Sequence, residues 1–398
     1  MNPEDALTIH RIKNEFPKSP WYNADDMRDL FNIQDVDVHR RWRRLLSHPL
    51  SESALKGVLS QVESNVRFAV AQIGKEMETR GVADVYKWWM CMGSDVIGEL
   101  TFGESFGMLQ KGEAKDVGTF APIDVLMRWV VNWSIPTVLV PEGLMKILTL
   151  VPRLRGHGEE LLTKYENRLT NDPKASPTLF TKIIQASEDD TLTRRELVDN
   201  AQLYIVAGAD TTSNTLTYLT WQISRHPQMR EKLVAEVKAL PDDFHPQQLK
   251  DLPYLNQVIS ETLRLFSAVP AALPRVVPAG GAAIGDYVLP GGTTVATQAY
   301  SMHRNARVFE DPDKYDPDRW ANPTKAMKDA FMPFGGGSRS CLGIHLAYHE
   351  LRLATALFWR TFPNAVVSTK EGMSDEDMEQ NLFFLMSPKG HRCLIEMS

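Results

Sequence analysis

Cys341 has the strongest chemical context of any residue in this 398-residue chain. It ends the stretch Ala330-Phe-Met-Pro-Phe-Gly-Gly-Gly-Ser-Arg-Ser-Cys341. Three consecutive glycines, Gly335 to Gly337, give a backbone that can turn tightly and approach something flat and bulky. From Leu342 to Phe362 the apolar spacing predicts a long helix, so Cys341 sits where a glycine loop hands over to a helix start. The unpaired N–H groups and positive dipole end of that start, with Arg339 two residues away, favour a thiolate over a thiol. A thiolate in a glycine cradle can serve as a nucleophile or as a metal ligand. A cysteine taken singly is more often a buried structural residue.

A second constellation, Ala207-Gly-Ala-Asp-Thr-Thr212, lies in the middle of a helix predicted over Arg194–Arg225. Gly208 weakens such a helix by about 1 kcal/mol relative to Ala, and Asp210 beside Thr211 competes for backbone hydrogen bonds. The patch therefore predicts a local opening of the kind found at functional sites. Glu261 and Arg264 stand at i and i+3 on one helical face, which alone reads as a routine surface pair. His39 and Arg43, one turn apart in His39-Arg-Arg-Trp-Arg-Arg44, fit either an inward pair or a solvated basic face.

The ordered set Phe334, Gly337, Arg339, Cys341 and Gly343 matches, position for position, the signature Phe-x-x-Gly-x-Arg-x-Cys-x-Gly of the cytochrome P450 family. The chain resembles that family from about Ala6 to its C-terminus. The resemblance implies haem b (iron protoporphyrin IX) with the Cys341 thiolate as its axial metal ligand, cradled by Phe334, Gly337, Arg339 and Gly343. Ala207 to Thr212 resembles the family's oxygen-binding groove. Asp210 and Thr211 are then the catalytic acid–alcohol pair that relays protons, while the small Ala207 and Gly208 leave room for oxygen and substrate. Glu261-Thr-Leu-Arg264 resembles the Glu-x-x-Arg motif, completed by Arg319 in Asp316-Pro-Asp-Arg-Trp320, and these three take a structural role. His39, Arg43, Arg275 and Arg339 fall on the family's contacts to the two haem carboxylates, which leaves Arg40, Arg41 and Arg44 as an outward basic face.

The activity implied is a haem-thiolate monooxygenase that inserts one atom of O2 into a lipophilic small molecule by hydroxylation or epoxidation. The flavour is that of fungal secondary metabolism. Substrate-facing candidates are Leu203, Tyr204, Val269, Ala271, Leu273 and Leu385, mostly apolar. Neither a Rossmann fingerprint nor a Walker loop is present, so the electrons come from outside. By resemblance the donor is NADPH-cytochrome P450 reductase. The alternatives are a reductase-independent haem-thiolate isomerase, dehydratase or peroxygenase, distinguished by turnover with peroxide alone, and an inactive haem-binding remnant.

Stepping outward to what must position these residues, helical patterns dominate. They cover roughly Val36–Ser47, Glu52–Arg80, Val82–Phe102, Glu159–Leu169, Arg194–Arg225, Pro227–Leu240 and Tyr254–Phe266. Strand signals are confined to short runs such as Gly285–Leu289 and Thr294–Thr297, and Phe16 to Tyr22 reads as an extended loop. The expectation is a mainly α chain with a small sheet: the cytochrome P450 fold, in one domain over residues 1–398. The family's N-terminal anchor, first helix and first strands are expected to be absent. Lys plus Arg number 44 against 50 acidic residues, a net charge of −6, and no basic stripe points to nucleic acid. Cys91, Cys341 and Cys393 are too few for a disulfide framework, which fits a reducing compartment. No apolar run long enough for an anchor opens the chain. Family resemblance implies association with the endoplasmic reticulum membrane, or a cytoplasmic chain where the anchor is lacking. The apolar region Phe120–Val151 matches the family's substrate-channel cap as well as it matches core packing, and Asn132-Trp-Ser134 within it is read as an accidental sequon.

Overall fold

The computed structural model describes residues 3–12, 16–23, 27–113, 151–172, 177–185, 192–382 and 384–398. Residues 120–150, with their channel-cap reading and sequon, lie outside these. The helices that carry the site are α1 (Pro3–Ile9), α2 (Val36–Ser47), α3 (Leu59–Arg80), α4 (Val85–Phe102), α5 (Val151–Asn171), α6 (Arg194–Arg225), α7 (Pro227–Lys238), α8 (Pro253–Leu265) and α9 (Ile344–Thr361). The strands are short: β1 (Ala83–Asp84), β2 (Ala272–Val276), β3 (Ala282–Ile284), β4 (Tyr287–Leu289), β5 (Thr294–Gln298), β6 (Ala365–Val367), β7 (Gln380–Leu382), β8 (Met386–Pro388) and β9 (Leu394–Met397). They form an antiparallel sheet β1-β9-β6 and three antiparallel pairs, β2-β5, β3-β4 and β7-β8.

Cap chemistry sets the starts of α2, α4 and α6. Asp35 accepts the backbone N–H groups of Asp37 and Val38, each at 2.9 Å, and starts α2. Thr193 and Glu196 form a reciprocal capping box at the head of α6. The helix predicted from Glu52 to Arg80 is broken into a short turn, Glu52–Leu55, and α3. The predicted Val82 start gives way to Asp84, whose carboxylate caps α4. Helix α9 begins at Ile344 with Gly343 as its N-cap, two residues later than the apolar pattern suggests.

The core is built around α6. This 32-residue helix packs along α4 and against α5, α8 and α9. It runs unbroken through Ala207–Thr212, so the predicted opening does not occur. The reason lies in the side chains. Thr211, Ser213, Thr215, Thr217 and Thr220 each turn a hydroxyl back onto the carbonyl four residues earlier at 2.7–2.8 Å. Polar groups that would compete with the helix are thereby consumed within it. Gly208 has its own cause: a Cβ there would lie 2.7 Å from the Ile97 side chain on α4. On the facing helix, a Cβ on Gly93 would lie 2.7 Å from the Ser213 hydroxyl. These two glycines let α4 and α6 approach closely.

The N-terminal segment is tied to the sheet. Lys18 bridges Arg275 of β2, Ser19 N–H donates to the Pro274 carbonyl at 3.3 Å, and Val276 N–H donates to Pro17 at 2.8 Å. The stretch expected as a loop is thus a strand-like edge followed by a 3-10 turn, Pro20–Asn23. Among the described residues no helix is long and apolar enough to cross a membrane.

Candidate active site

The floor of the site is made by the loop before α9. Gly335 and Gly337 take left-handed backbone angles, φ 69° and 65°, which a side chain would strain. The constraint is severe at Gly337, where a Cβ would sit 1.6 Å from the His10 carbonyl oxygen. The loop closes through Cys341 N–H, which donates to the Phe334 carbonyl at 2.9 Å. Sequence reading gave Gly337 a place against a bound group; in the structure it lies against the end of α1. The Phe334 ring packs on Tyr348 of α9, with centroids 5.3 Å apart.

Cys341 lies deep in the molecule, but its side chain is open to an internal cavity. Burial raises its thiol pKa above the ordinary 9.0, opposed by a hydrogen bond from Gly343 N–H to the sulfur and by the charge of Arg43. The expected thiolate stabilisation therefore operates only in part. Its cation is Arg43 rather than Arg339, and the helix end acts through the Gly343 N–H. Arg339 extends its guanidinium to the carbonyls of Ile33 and Gln34, at 2.6 and 3.3 Å.

The cavity offers about 330 Å³ to the centres of water molecules and is mainly apolar. One wall is a face of α6: Leu203, Tyr204, Val206, Ala207, Gly208, Thr211, Thr212 and Thr215. Asp210 is not among the lining residues, although Thr211 beside it is. Thr211 donates its hydroxyl to the Ala207 carbonyl at 2.7 Å. Among the substrate candidates, Leu203, Tyr204, Val269, Leu273 and Leu385 face the cavity, whereas Ala271 does not. Phe31 and Phe384, 5.4 Å apart, join this wall from opposite ends of the chain.

One side of the cavity is strongly basic. On α2, the 3.6-residue period turns His39 and Arg43 inward with Trp42 and leaves Arg40, Arg41 and Arg44 exposed. Arg43 donates to the Ser340 carbonyl at 2.7 Å and to its hydroxyl at 3.0 Å. Arg275, buried on β2, stands just behind the lining. Lys18, which sequence reading passed over, lines the cavity beside Arg339. Burial and the charges of Arg339, Arg43, Lys18 and Arg275 lower the His39 pKa to about 3, so the imidazole is neutral. Mutually repelling, desolvated cations around one space fit a bound group that carries more than one negative charge. With the exposed sulfur of Cys341 and the apolar walls, this donor set fits haem and its two carboxylates.

Glu350 of α9 is the second residue that sequence reading missed. It is buried, lines the cavity and is hydrogen-bonded to Thr212. Burial raises its pKa to about 8, so it is a neutral acid at pH 7. The signal was available: Leu346, Glu350, Leu353 and Leu357 share one face, and Glu350 is the lone acid on it.

Beneath the cysteine loop lies a network with no loose ends. Glu261 accepts from Arg264 at 2.7 and 2.8 Å, from Arg319 at 3.0 Å, from Trp320 Nε1 at 2.9 Å and from Asp316 N–H at 2.8 Å. Arg264 also donates to the carbonyls of His303, Pro312 and Lys314. His303, held neutral with a pKa of about 3 by burial, accepts the Met332 N–H at 2.9 Å. Through that bond the network holds the start of the cysteine loop.

Comparison with known proteins gives a consistent result. The cytochrome P450 family model matches residues 4–395. The cytochrome P450 monooxygenase tazI of Aspergillus terreus is 43% identical over 403 residues, covering 98% of this chain and 82% of that protein. The cytochrome P450 monooxygenase orf2 of Aspergillus niger is 40% identical over 400 residues, covering 98% and 81%. The crystal structure of a cytochrome P450DA heme domain matches with a TM-score of 0.80 at 19% identity, over 100% of this chain and 87% of that one. At that identity the likeness is one of fold.

Proposed function

The chain belongs to the cytochrome P450 family, and on that premise we propose that it inserts one atom of O2 into a lipophilic small molecule, by hydroxylation or epoxidation, in fungal secondary metabolism. The observation that carries this reading is the open Cys341 sulfur facing an apolar cavity whose flank is lined by buried cations. Cys341 would hold the iron of haem b through its sulfur, with Phe334, Arg339 and Gly343 shaping its loop. Arg43, Arg275 and Arg339 would neutralise the two haem carboxylates, and the neutral His39 would donate a hydrogen bond to them. The chemistry such a group would supply when bound is activation of O2 for insertion of one oxygen atom into a C–H or C=C bond.

The chain's own residues hold and move protons and keep water out. Thr211 presents a hydroxyl oxygen at the cavity wall while its proton is given to the Ala207 carbonyl. Glu350 holds a proton at neutral pH and passes it toward the groove through Thr212, a task that Asp210 is poorly placed to perform directly. Leu203, Tyr204, Val269, Leu273, Phe384 and Leu385 give the substrate an apolar bed and exclude bulk water. Electrons come from an NADPH-dependent reductase, docked on a face to which the exposed Arg40, Arg41 and Arg44 contribute positive charge.

The deciding experiment is the reduced, carbon monoxide-bound absorption spectrum of the haem-loaded chain beside that of Cys341→Ala. A strongly red-shifted thiolate band, absent from the variant, is the expected result. A band of nitrogen or neutral-thiol ligation in the parent overturns it. Turnover of a lipophilic substrate with reductase and NADPH then tests the monooxygenase step. Turnover with peroxide but none with reductase and NADPH overturns the reductase-dependent reading.

A further inference from the structure

Lys18 lies outside every motif that identifies the site, and its surroundings are unusual for a lysine. The side chain is 5% exposed. Its ammonium lies 4.0 Å from the centroid of the Tyr22 ring and 3.7 Å from that of Phe31, and it donates to the Phe31 carbonyl. Among the described residues no carboxylate stands within ion-pairing distance of it. The charged and titratable groups around it are Arg275 on β2, Arg339 on the cysteine loop, His39 on α2, and Asp29 and Tyr22 in its own segment. Burial and the two arginines push its pKa well below 10.5, against the pull of Asp29.

A residue in that position is costly unless something negative meets it. Its backbone is nevertheless fixed. Lys18 is bridged to Arg275, and Ser19 next to it accepts the Gln34 side-chain amide at 2.9 Å. Arg339 grips the same segment at Ile33 and Gln34. An ammonium has three donors and is drawn to carboxylates as a point charge, and one carbonyl with two ring faces leaves it room for such a partner.

We propose that Lys18 is a carboxylate-binding residue of the cavity, by which the N-terminal segment closes on an acid group of the bound haem. This rests on reading the cavity as a haem site. It makes residues 16–23 and 27–34 part of the cofactor clamp, tied to β2 through Lys18 and to the cysteine loop through Ile33 and Gln34. The same chemistry could be used on a carboxylate carried by a substrate. The adjacency of Lys18 to Arg275, Arg339 and His39, which face the same acid groups, favours the haem.

The test uses substrate-free holoprotein, so that no substrate carboxylate is present. Haem transfer to excess apomyoglobin is timed, and the haem carboxylate bending bands are read by resonance Raman, for the parent, Lys18→Met, Lys18→Gln, Lys18→Arg, Arg43→Leu and Arg275→Leu. Loss of one charged hydrogen bond predicts haem loss about tenfold faster in Lys18→Met, with shifted carboxylate bands. Lys18→Arg restores most of the retention. Lys18→Gln, which keeps a donor for the Phe31 carbonyl, behaves like Lys18→Met and separates lost charge from lost folding. Parent-like retention and bands in Lys18→Met, with faster loss in both arginine variants, overturn the proposal and leave the haem-site reading intact. Parent-like behaviour in all the variants overturns both. If Lys18→Met keeps its haem and loses only the spectral shift induced by a fatty acid, the partner is a substrate carboxylate and the assignment to haem is overturned.

Discussion

Two clusters of buried charge lie on either side of the cysteine loop, and they are built on opposite principles. Below it, Glu261, Arg264 and Arg319 form a closed set in which both carboxylate oxygens are engaged and the arginines are further held by backbone carbonyls. Beside the cavity, Lys18, Arg43, Arg275 and Arg339 gather one sign of charge and, with burial, depress the His39 pKa to about 3. Glu350, the acid that lines the same cavity, owes its pKa of about 8 to burial, against the opposing hydrogen bond of Thr212, with no cation among the causes. A completed network locks a backbone. A cluster of one sign around a cavity favours an anionic ligand there.

The comparison breaks most visibly at Glu261. Removing the one carboxylate from a completed buried network leaves two guanidiniums uncompensated, so Glu261→Ala is expected to cost about 3–5 kcal/mol. The urea midpoint should fall accordingly, and the thiolate band should disappear along with the fold. Cys341→Ala, by contrast, should lose the band and keep the midpoint.

A smaller effect tests packing rather than charge. Gly208→Ala pushes a Cβ to 2.7 Å from Ile97 and should destabilise by about 1–3 kcal/mol. Ile97→Ala in the same chain should recover part of that loss. Full activity loss with unchanged stability would instead assign Gly208 to the oxygen groove.

This pair of variants also marks where the sequence stops being readable. The spacing of the Cys341 loop, the i,i+3 relation of Glu261 and Arg264, and the inward face of His39 and Arg43 follow from local periodicity, and the structure brings each set together. Gly208 was read as a weak point because propensity counts one helix at a time. Its neighbour Ile97 lies more than a hundred positions away in sequence. Asp210 was grouped with Thr211 because they are adjacent in sequence, yet adjacent residues on a helix point about 100° apart. Lys18 belongs to no spacing pattern, and for Glu350 the spacing shows only an acid on an apolar face. Each acquires its chemistry from burial and from partners on other segments, which is information that only the folded chain contains.

At the cavity the sign of the stability effect should reverse. Lys18→Met removes a desolvated charge that the cofactor-free chain opposes only through the more distant Asp29, so that chain should gain about 1 kcal/mol. The haem-loaded protein should lose stability by the same substitution. Thermal denaturation of both forms reads the crossing. A variant destabilised in both forms would place Lys18 with the completed network instead.

The finest test concerns Glu350, because it asks whether the cavity's acid is held by burial alone. Its folded-state pKa is raised from the ordinary 4.5 to about 8. Between those values the folded chain keeps a proton that the unfolded chain has released. Stability from this group is therefore full below about pH 4.5, falls as the pH rises through the window, and is fully lost above about pH 8. Glu350→Gln, which stays neutral and can still hydrogen-bond Thr212, should flatten that dependence. Between pH 6 and pH 9 the parent should lose about 2–3 kcal/mol more than the variant, read from urea midpoints at each pH. Equal slopes would mean that some cation compensates Glu350 after all. The contrast between a closed network and an open cavity would then be confined to the positive charges.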